Sequence, residues 1–272
     1  MRVHLLIIDP QKDFMDDPDS SLPVPGANAD MNRLAEMIRR IGHKLEDIHV
    51  TLDSHGVIDV GHPGFWVNSR GEHPAHYTII KSDDIRNGIW TPFSPSLRKR
   101  MIDYAETLEK NQGKYSLMVW PEHCEIGTPG HNVQKELAVA LADWSRRFHA
   151  NVDYVVKGTN PFTEHYGALM AEVPDPSDPA TGLNTALLDI LAEVDVVAIA
   201  GEAFSHCVKS TVTQIAENLG EEYARKFHIL TDCSSPVPKV GNGPDFPAIT
   251  EVWLKEMEKR GMVLTTSKKF LA

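Results

Sequence analysis

Six short runs rich in branched aliphatic residues, at positions 3–8, 47–52, 152–156, 194–200, 227–231 and 262–265, alternate with stretches of helical period. That alternation constrains the fold more than any other feature. Parallel strands cannot be joined by a tight turn, so each connection must be long enough to carry a crossover helix. The region 28–41 places Met31, Leu34, Ala35, Ile38 and Ile41 on one helical face, and Val208, Val212, Ile215, Ala216 and Leu219 form a second such stripe. Segments 129–148 and 246–259 read as two more helices. The expectation is an α/β chain with a mostly parallel six-stranded sheet and helices on both faces.

The chain is 272 residues long, enough to bury a sizeable core as one domain. The stretch 58–118 fits no single crossover, since it holds Gly, Pro and Asn clusters, a strand-like HYTIIK and a helix near 96–110. It reads as an insertion in a single domain spanning 1–272. The formal net charge of -11 argues against phosphate-backbone binding, which needs clustered Lys and Arg. A small-molecule partner is expected and nucleic acid is not. The apolar run before Asp9 is too short for a signal-peptide core or a membrane span, and three cysteines in a chain of this size call for no disulfide framework. A cytoplasmic protein with reduced thiols follows, and a homo-oligomer is left open.

Reactive residues gather at the carboxyl ends of the expected strands: Asp9 after the first, Asp53 after the second, Lys157 after the third and Cys207 just past the fourth. In open parallel sheets that edge is where ligands bind. Each residue alone has a bland reading, since a buried Cys is usually inert and a carboxylate ending a strand often caps a helix. Their convergence on one crevice favours chemistry.

Cysteine is a nucleophile as its thiolate, which a helix N-terminus and a nearby ammonium both stabilise. Cys207 has the first by position and Lys157 could provide the second, while Asp9 could shuttle the proton between thiol, leaving group and water. The turn GEAFSH could aim backbone amides at an oxyanion. A phosphatase loop would want Arg where Thr213 stands, and a redox pair would want a CxxC; neither is present.

A second constellation is TLDSHG, where Asp53 and His55 share one side of an extended segment. With His123 from WPEHCEIGTPG, a carboxylate and two imidazoles suit a borderline divalent metal. With thirteen histidines in the chain, spacing alone is weak evidence for such a site.

Taken together, LIIDPQKDF, TLDSHG, WPEHCEIGTPG, VVKGTNP and AGEAFSHCVKSTV resemble, in this order, the nicotinamidase branch of the isochorismatase-like cysteine hydrolases. The resemblance touches nearly the whole chain outside the middle segment. It implies a three-layer α/β fold, a catalytic triad of Asp9, Lys157 and Cys207, and an oxyanion hole from the amides of Ala203 and Cys207. It also implies a cis peptide between Glu202 and Ala203. One divalent ion would be held by Asp53, His55 and His123, zinc being the first choice and iron or manganese the others. His62 is a candidate further ligand, with His73 and His76 as competitors. Phe14 and Trp120 match positions that sandwich a planar substrate. The chain departs from the family pattern in its length between His55 and Trp120 and in TEHYGAL after the lysine, which puts Glu164 and His165 where smaller or differently polar groups usually stand.

The expected activity is hydrolysis of a small aromatic carboxamide, nicotinamide first, through a thioester. The alternatives are a family hydrolase acting on another small amide or ureido compound, and a binding or scaffold protein that retained the fold. A vinyl-ether hydrolase is disfavoured, because it would need neither Cys207 nor the metal residues.

Overall fold

The computed structural model describes residues 1–110, 116–239 and 243–272. Its main sheet has six strands: β1 (Val3–Ile8), β2 (Asp47–Asp53), β5 (Asp153–Lys157), β6 (Val196–Gly201), β7 (Phe227–Leu230) and β8 (Val263–Thr265), in the order β5-β2-β1-β6-β7-β8. Every pairing within it is parallel. Two short strands inside the middle segment, β3 (Trp66–Val67) and β4 (Thr91–Pro92), form a separate antiparallel pair.

The helices are α1 (Ala27–Ile41), α2 (Ser82–Arg86), α3 (Arg98–Lys110), α4 (Lys135–Phe148), α5 (Thr185–Glu193), α6 (Lys209–Leu219) and α7 (Phe246–Lys259). Strand order runs one way from β1 through β2 to β5, and the other way from β6 to β8. Right-handed crossovers then place α1 and α4 on one face of the sheet and α5, α6 and α7 on the other. The order reverses between β1 and β6, which makes their carboxyl ends the switch point where such sheets bind ligands.

Burial explains the strand composition. All six residues of β1 are buried, as expected for a central strand covered on both faces, so VHLLII shows no alternation of polar and apolar residues. Strand β5 lies at the edge and leaves Tyr154 and Val156 about half exposed. The stripe on α1 is buried against α4, whose Leu137, Ala140, Leu141 and Trp144 face it, and Trp144 donates to the Gly42 carbonyl at 3.1 Å. A second, smaller apolar cluster, with Phe65, Trp66, Ile85 and Met101 at its centre, draws its buried residues from 60–119, and Phe162 and Val173 pack against it.

Strand and helix positions differ from the sequence expectation in several places, α2, β3 and β4 within the middle segment among them. HYTIIK is not a strand: Tyr77 takes a left-handed φ of 67°, and only Ile79 bridges Met118. Helix α4 starts at Lys135 rather than 129, because Pro129–His131 forms its own tight turn and Gln134 accepts from Leu137 N to begin the helix. The expectation omitted α5, which Asn184 caps by accepting from Leu187 N at 3.1 Å. Among the described residues no helix is long and apolar enough to cross a membrane.

Candidate active site

Four strands deliver Asp9, Asp53, Lys157 and the loop to Cys207 to one edge. The first three stand at or just past the ends of β1, β2 and β5, and Cys207 lies in a wide helical turn, Phe204–Val208, that leads from β6 into α6. The approach of β6 to β1 is close enough to require glycine: a Cβ on Gly201 would lie 2.0 Å from the Ile8 carbonyl oxygen. Past β5, Gly158 takes a φ of +82°, and a Cβ there would come within 2.8 Å of Asp53 Oδ1. The peptide between Glu202 and Ala203 is cis.

Lys157 is the hub of the site. Its Nζ lies 2.9 Å from Asp9 Oδ2, 2.9 Å from Asp53 Oδ1 and 3.9 Å from Cys207 Sγ, and it donates to the His165 carbonyl at 2.7 Å. Polar atoms of Asp9, Asp53 and Cys207 all fall within 4.8 Å of one another. Thr51 holds Asp9 from the neighbouring strand, donating to Oδ1 at 2.5 Å and accepting from the Asp9 amide at 3.0 Å. Gln11 fixes Asp53 by a reciprocal pair of bonds to its backbone, both 2.7 Å.

These contacts set the charge states. Burial opposes a charge on Lys157, but Asp53, Asp9 and Cys207 outweigh it and hold the ammonium well above its usual range. Asp53 is likewise buried, yet His55 and Lys157 keep its carboxyl well below the ordinary value. Burial raises Asp9, with Lys157 pulling the other way. At Cys207 burial also dominates, and Asp9 and Asp53 add to it, so the pull of Lys157 does not prevail and the thiol is pushed well above its usual value. The free site therefore holds a neutral thiol, not the standing thiolate that helix position and a nearby lysine suggest. Asp9, itself raised by burial, has a carboxylate oxygen within 4.8 Å of Cys207 Sγ.

Beside this group stands a cluster of imidazoles. His55 Nε2 lies 3.1 Å from Asp53 Oδ2, His123 Nε2 3.6 Å from the same oxygen, and His62 Nε2 3.3 Å from His123 Nδ1. All three histidines are buried and offer ligand atoms within 4.8 Å of one another. His55 Nδ1 faces Asp59 Oδ2 at 3.1 Å, the outer carboxylate that commonly orients a metal-binding imidazole. His62 Nδ1 is buried without a partner. Burial, followed by the two neighbouring imidazoles, pushes His62 down to about 3, so it presents a lone pair rather than a charge. This donor set fits a borderline divalent ion. His62, not His73 or His76, is the histidine brought to the cluster; the other two are exposed, and His73 bonds the Trp66 carbonyl.

An apolar slot with a free volume of about 30 Å³ opens on Cys207, Asp53 and His123. Phe14 and Trp120 line it, as do Glu164, Tyr166, Ala203 and His206. Trp120 is held by a 3.0 Å bond from its indole N–H to the Tyr166 hydroxyl and by edge contact with His206 at 5.1 Å. A larger groove of about 740 Å³ lies along α6 and α7 and contains none of these residues. Sequence reasoning missed Thr51, Asp59, Tyr166 and His206. Only Asp59, four residues after His55, carries a spacing signal, and that signal is generic. Glu164, which departs from the family pattern, is buried in the slot lining, and burial followed by Asp59 lifts its carboxyl to about 8.

No family model matches the chain, and no curated protein matches it in sequence. Solved structures do. A nicotinamidase/pyrazinamidase from Acinetobacter baumanii is similar at 19% identity and a TM-score of 0.63, covering 99% of this chain and 98% of its own. The yeast nicotinamidase bound to the inhibitor nicotinaldehyde is 20% identical with a TM-score of 0.63, over 97% and 99% of the two chains. The pyrazinamidase of Pyrococcus horikoshii in complex with zinc is 20% identical with a TM-score of 0.58, over 98% and 99%. From end to end, this chain shares the fold of those nicotinamidases and pyrazinamidases.

Proposed function

We propose that the chain is a cysteine amidohydrolase of the nicotinamidase branch of the isochorismatase-like family, converting a small aromatic carboxamide, nicotinamide first, to its acid and ammonia. The observation that carries this reading is Lys157 within bonding reach of both Asp9 and Cys207, with Cys207 lining a slot that Phe14 and Trp120 also line.

In this reading the ring enters the slot with its carboxamide carbon at Cys207 Sγ. As sulfur attacks, the thiol proton passes to Asp9 and the carbonyl oxygen takes the negative charge, facing the amides of Ala203 and Cys207. Asp9 then gives that proton to the departing nitrogen, the C–N bond breaks and ammonia leaves a thioester on Cys207. A water attacks the thioester, losing its proton to Asp9, and the restored thiol releases the carboxylic acid. Lys157 keeps its charge throughout and limits the cost of each negative charge that develops beside it. Asp53, His55, His123 and His62 would hold one divalent ion, zinc being the first candidate and iron or manganese the others. When bound, that ion supplies a Lewis-acidic anchor for a ring lone pair.

The test is ammonia release from metal-loaded protein given nicotinamide, pyrazinamide and benzamide below saturation. Apolar stacking treats the three rings alike, whereas only the first two offer a lone pair to a metal. Nicotinamide and pyrazinamide are expected to react at least about tenfold faster than benzamide, equivalent to about 1.4 kcal/mol. Equal rates would remove the ring-nitrogen contact. Inactivity on all three, with Cys207 still reactive, would redirect the assignment to another small amide or a ureido compound.

A further inference from the structure

At the amino ends of the strands, the edge away from the slot, β1 and β2 bring together a second group of ligand-type side chains. His4 pairs with Asp47 in the parallel register, and His49 stands two residues after Asp47. The two-residue strand repeat therefore sets His4, Asp47 and His49 on one face of the sheet. His4 and His49 are 3% and 1% exposed, and Asp47 is partly exposed. Their ligand atoms lie within 4.8 Å of one another.

With two neutral histidines, this cluster leaves one lone pair without a donor among the described residues or sets two lone pairs face to face. His49 Nδ1 is 2.8 Å from Asp153 Oδ2, an oxygen that can only accept, so Nδ1 carries the proton and Nε2 presents a lone pair. That lone pair faces His4 Nδ1 at 2.9 Å. If His4 carries its proton on Nδ1, its Nε2 is left as a bare lone pair, buried, without a donor and 4.0 Å from Glu46 Oε1. If the proton sits on Nε2, two imidazole lone pairs face each other. A cation between His4 Nδ1 and His49 Nε2 resolves both arrangements, since His4 then holds its proton on Nε2, turned toward Glu46.

We propose that His4, His49 and Asp47 form a second divalent-metal site, for a zinc-class ion, separate from the cluster at the slot. Two imidazoles and a carboxylate are a donor set of that class, with water completing the shell. Asp47 has an oxygen to give, because its backbone contact, from Ile48 N at 2.7 Å, uses only Oδ1. Asp153 stands behind His49 as Asp59 stands behind His55, the outer carboxylate of a metal-binding imidazole. Ligand nitrogens about 2.0–2.1 Å from a tetrahedral ion lie roughly 3.3 Å apart, so the rings need separate by only a few tenths of an ångström. Asp153 and Glu46, each about half exposed, open the site to solvent; Arg2 pairs with Glu46 Oε1 at 3.0 Å and bounds that opening.

The experiment is a metal count on the full chain, equilibrated with zinc, desalted and analysed for bound metal, with cobalt absorption as a second reading. Wild type is expected to hold two ions per chain. Asp53→Asn combined with His55→Ala should remove one, and His4→Gln or His49→Gln should remove the other while ammonia release continues. Because His4 and His49 are buried, Asp47→Asn at the partly exposed ligand is the deciding variant if they fail to fold. It should weaken the second ion at least about tenfold with an unchanged circular dichroism spectrum. One ion in wild type, lost with Asp53 and His55, would overturn the proposal. Two ions that survive the folded His4 and His49 variants, or an undiminished second ion in Asp47→Asn, would overturn it as well. Failure of the amidase reading leaves this count unaffected.

Discussion

Lys157 lies 2.9 Å from Asp53 as well as 2.9 Å from Asp9, so a single buried ammonium balances both the carboxylate beside Cys207 and the one that reaches the histidine cluster. The thiol group and the imidazole group are thereby one electrostatic unit. A change at either end is felt at the other.

Replacing that shared counter-charge should cost stability as well as turnover. In Lys157→Met, Asp9 and Asp53 remain buried at 0% and 5% exposure without a cation between them. Removing one member of a buried ionic group typically costs about 3–5 kcal/mol, so urea unfolding should show a loss of that order, with turnover down by at least about a hundredfold. Adding Asp9→Asn should recover part of the stability and none of the activity. A Lys157→Met protein as stable as wild type would contradict the shared-charge account.

Cys207→Ala should abolish ammonia release and leave fold and metal content intact. An alkylating reagent should modify Cys207 ahead of Cys124 and Cys233, because Cys207 is 5% exposed at the slot and the other two are sealed at 0%. Peptide mapping after brief exposure to iodoacetamide reads the order. Labelling should be slow for a catalytic thiol at neutral pH, since the free site holds it protonated, and should quicken as pH rises. Substantial turnover by Cys207→Ala would end the covalent mechanism.

Asp59 should behave as an orienting group behind His55. Asp59→Asn is expected to weaken metal binding at the slot by about 10- to 100-fold, the usual cost of losing an outer carboxylate. Competition against a chromogenic chelator measures it. Unchanged affinity would mean that His55 is not held through Nδ1.

Glu202 gives a stability profile of defined sign. It is fully buried, and burial followed by Asp30 raises its carboxyl well above the ordinary 4.5. Between 4.5 and that raised value the folded chain holds more protons than the unfolded one, so this group's contribution is complete below about 4.5 and is lost as pH rises. Glu202→Gln keeps the shape and cannot ionise, so its stability relative to wild type should increase from pH 4.5 to pH 8. Denaturant melts of both proteins across that range test it; a constant difference would show that Glu202 does not titrate in this way.

Much of this protein was legible from the chain itself. Fully buried parallel strands lose their polar alternation, so β1 stands out as the unbroken VHLLII, and a sheet of this type places its chemistry at strand ends, where Asp9, Asp53 and Lys157 appear. Local signals failed where distant contacts decide. HYTIIK has strand composition, but a left-handed Tyr77 and the run at Leu117–Val119 determine its path. The charge on Cys207 could not be read from helix position and a lysine, because the protonation state depends on how much water Asp9, Asp53 and the slot exclude together. Nor could sequence choose among His62, His73 and His76; His62 and His123 stand 61 positions apart in the chain, yet folding sets their nitrogens 3.3 Å apart. Residue type and local periodicity determined the layers and the reactive edge, since both depend on short-range sterics and burial pattern. Which imidazoles meet, which carboxylates share a cation and which thiol stays neutral were decided only by the tertiary structure, because distance and desolvation are properties of segments brought together from across the chain.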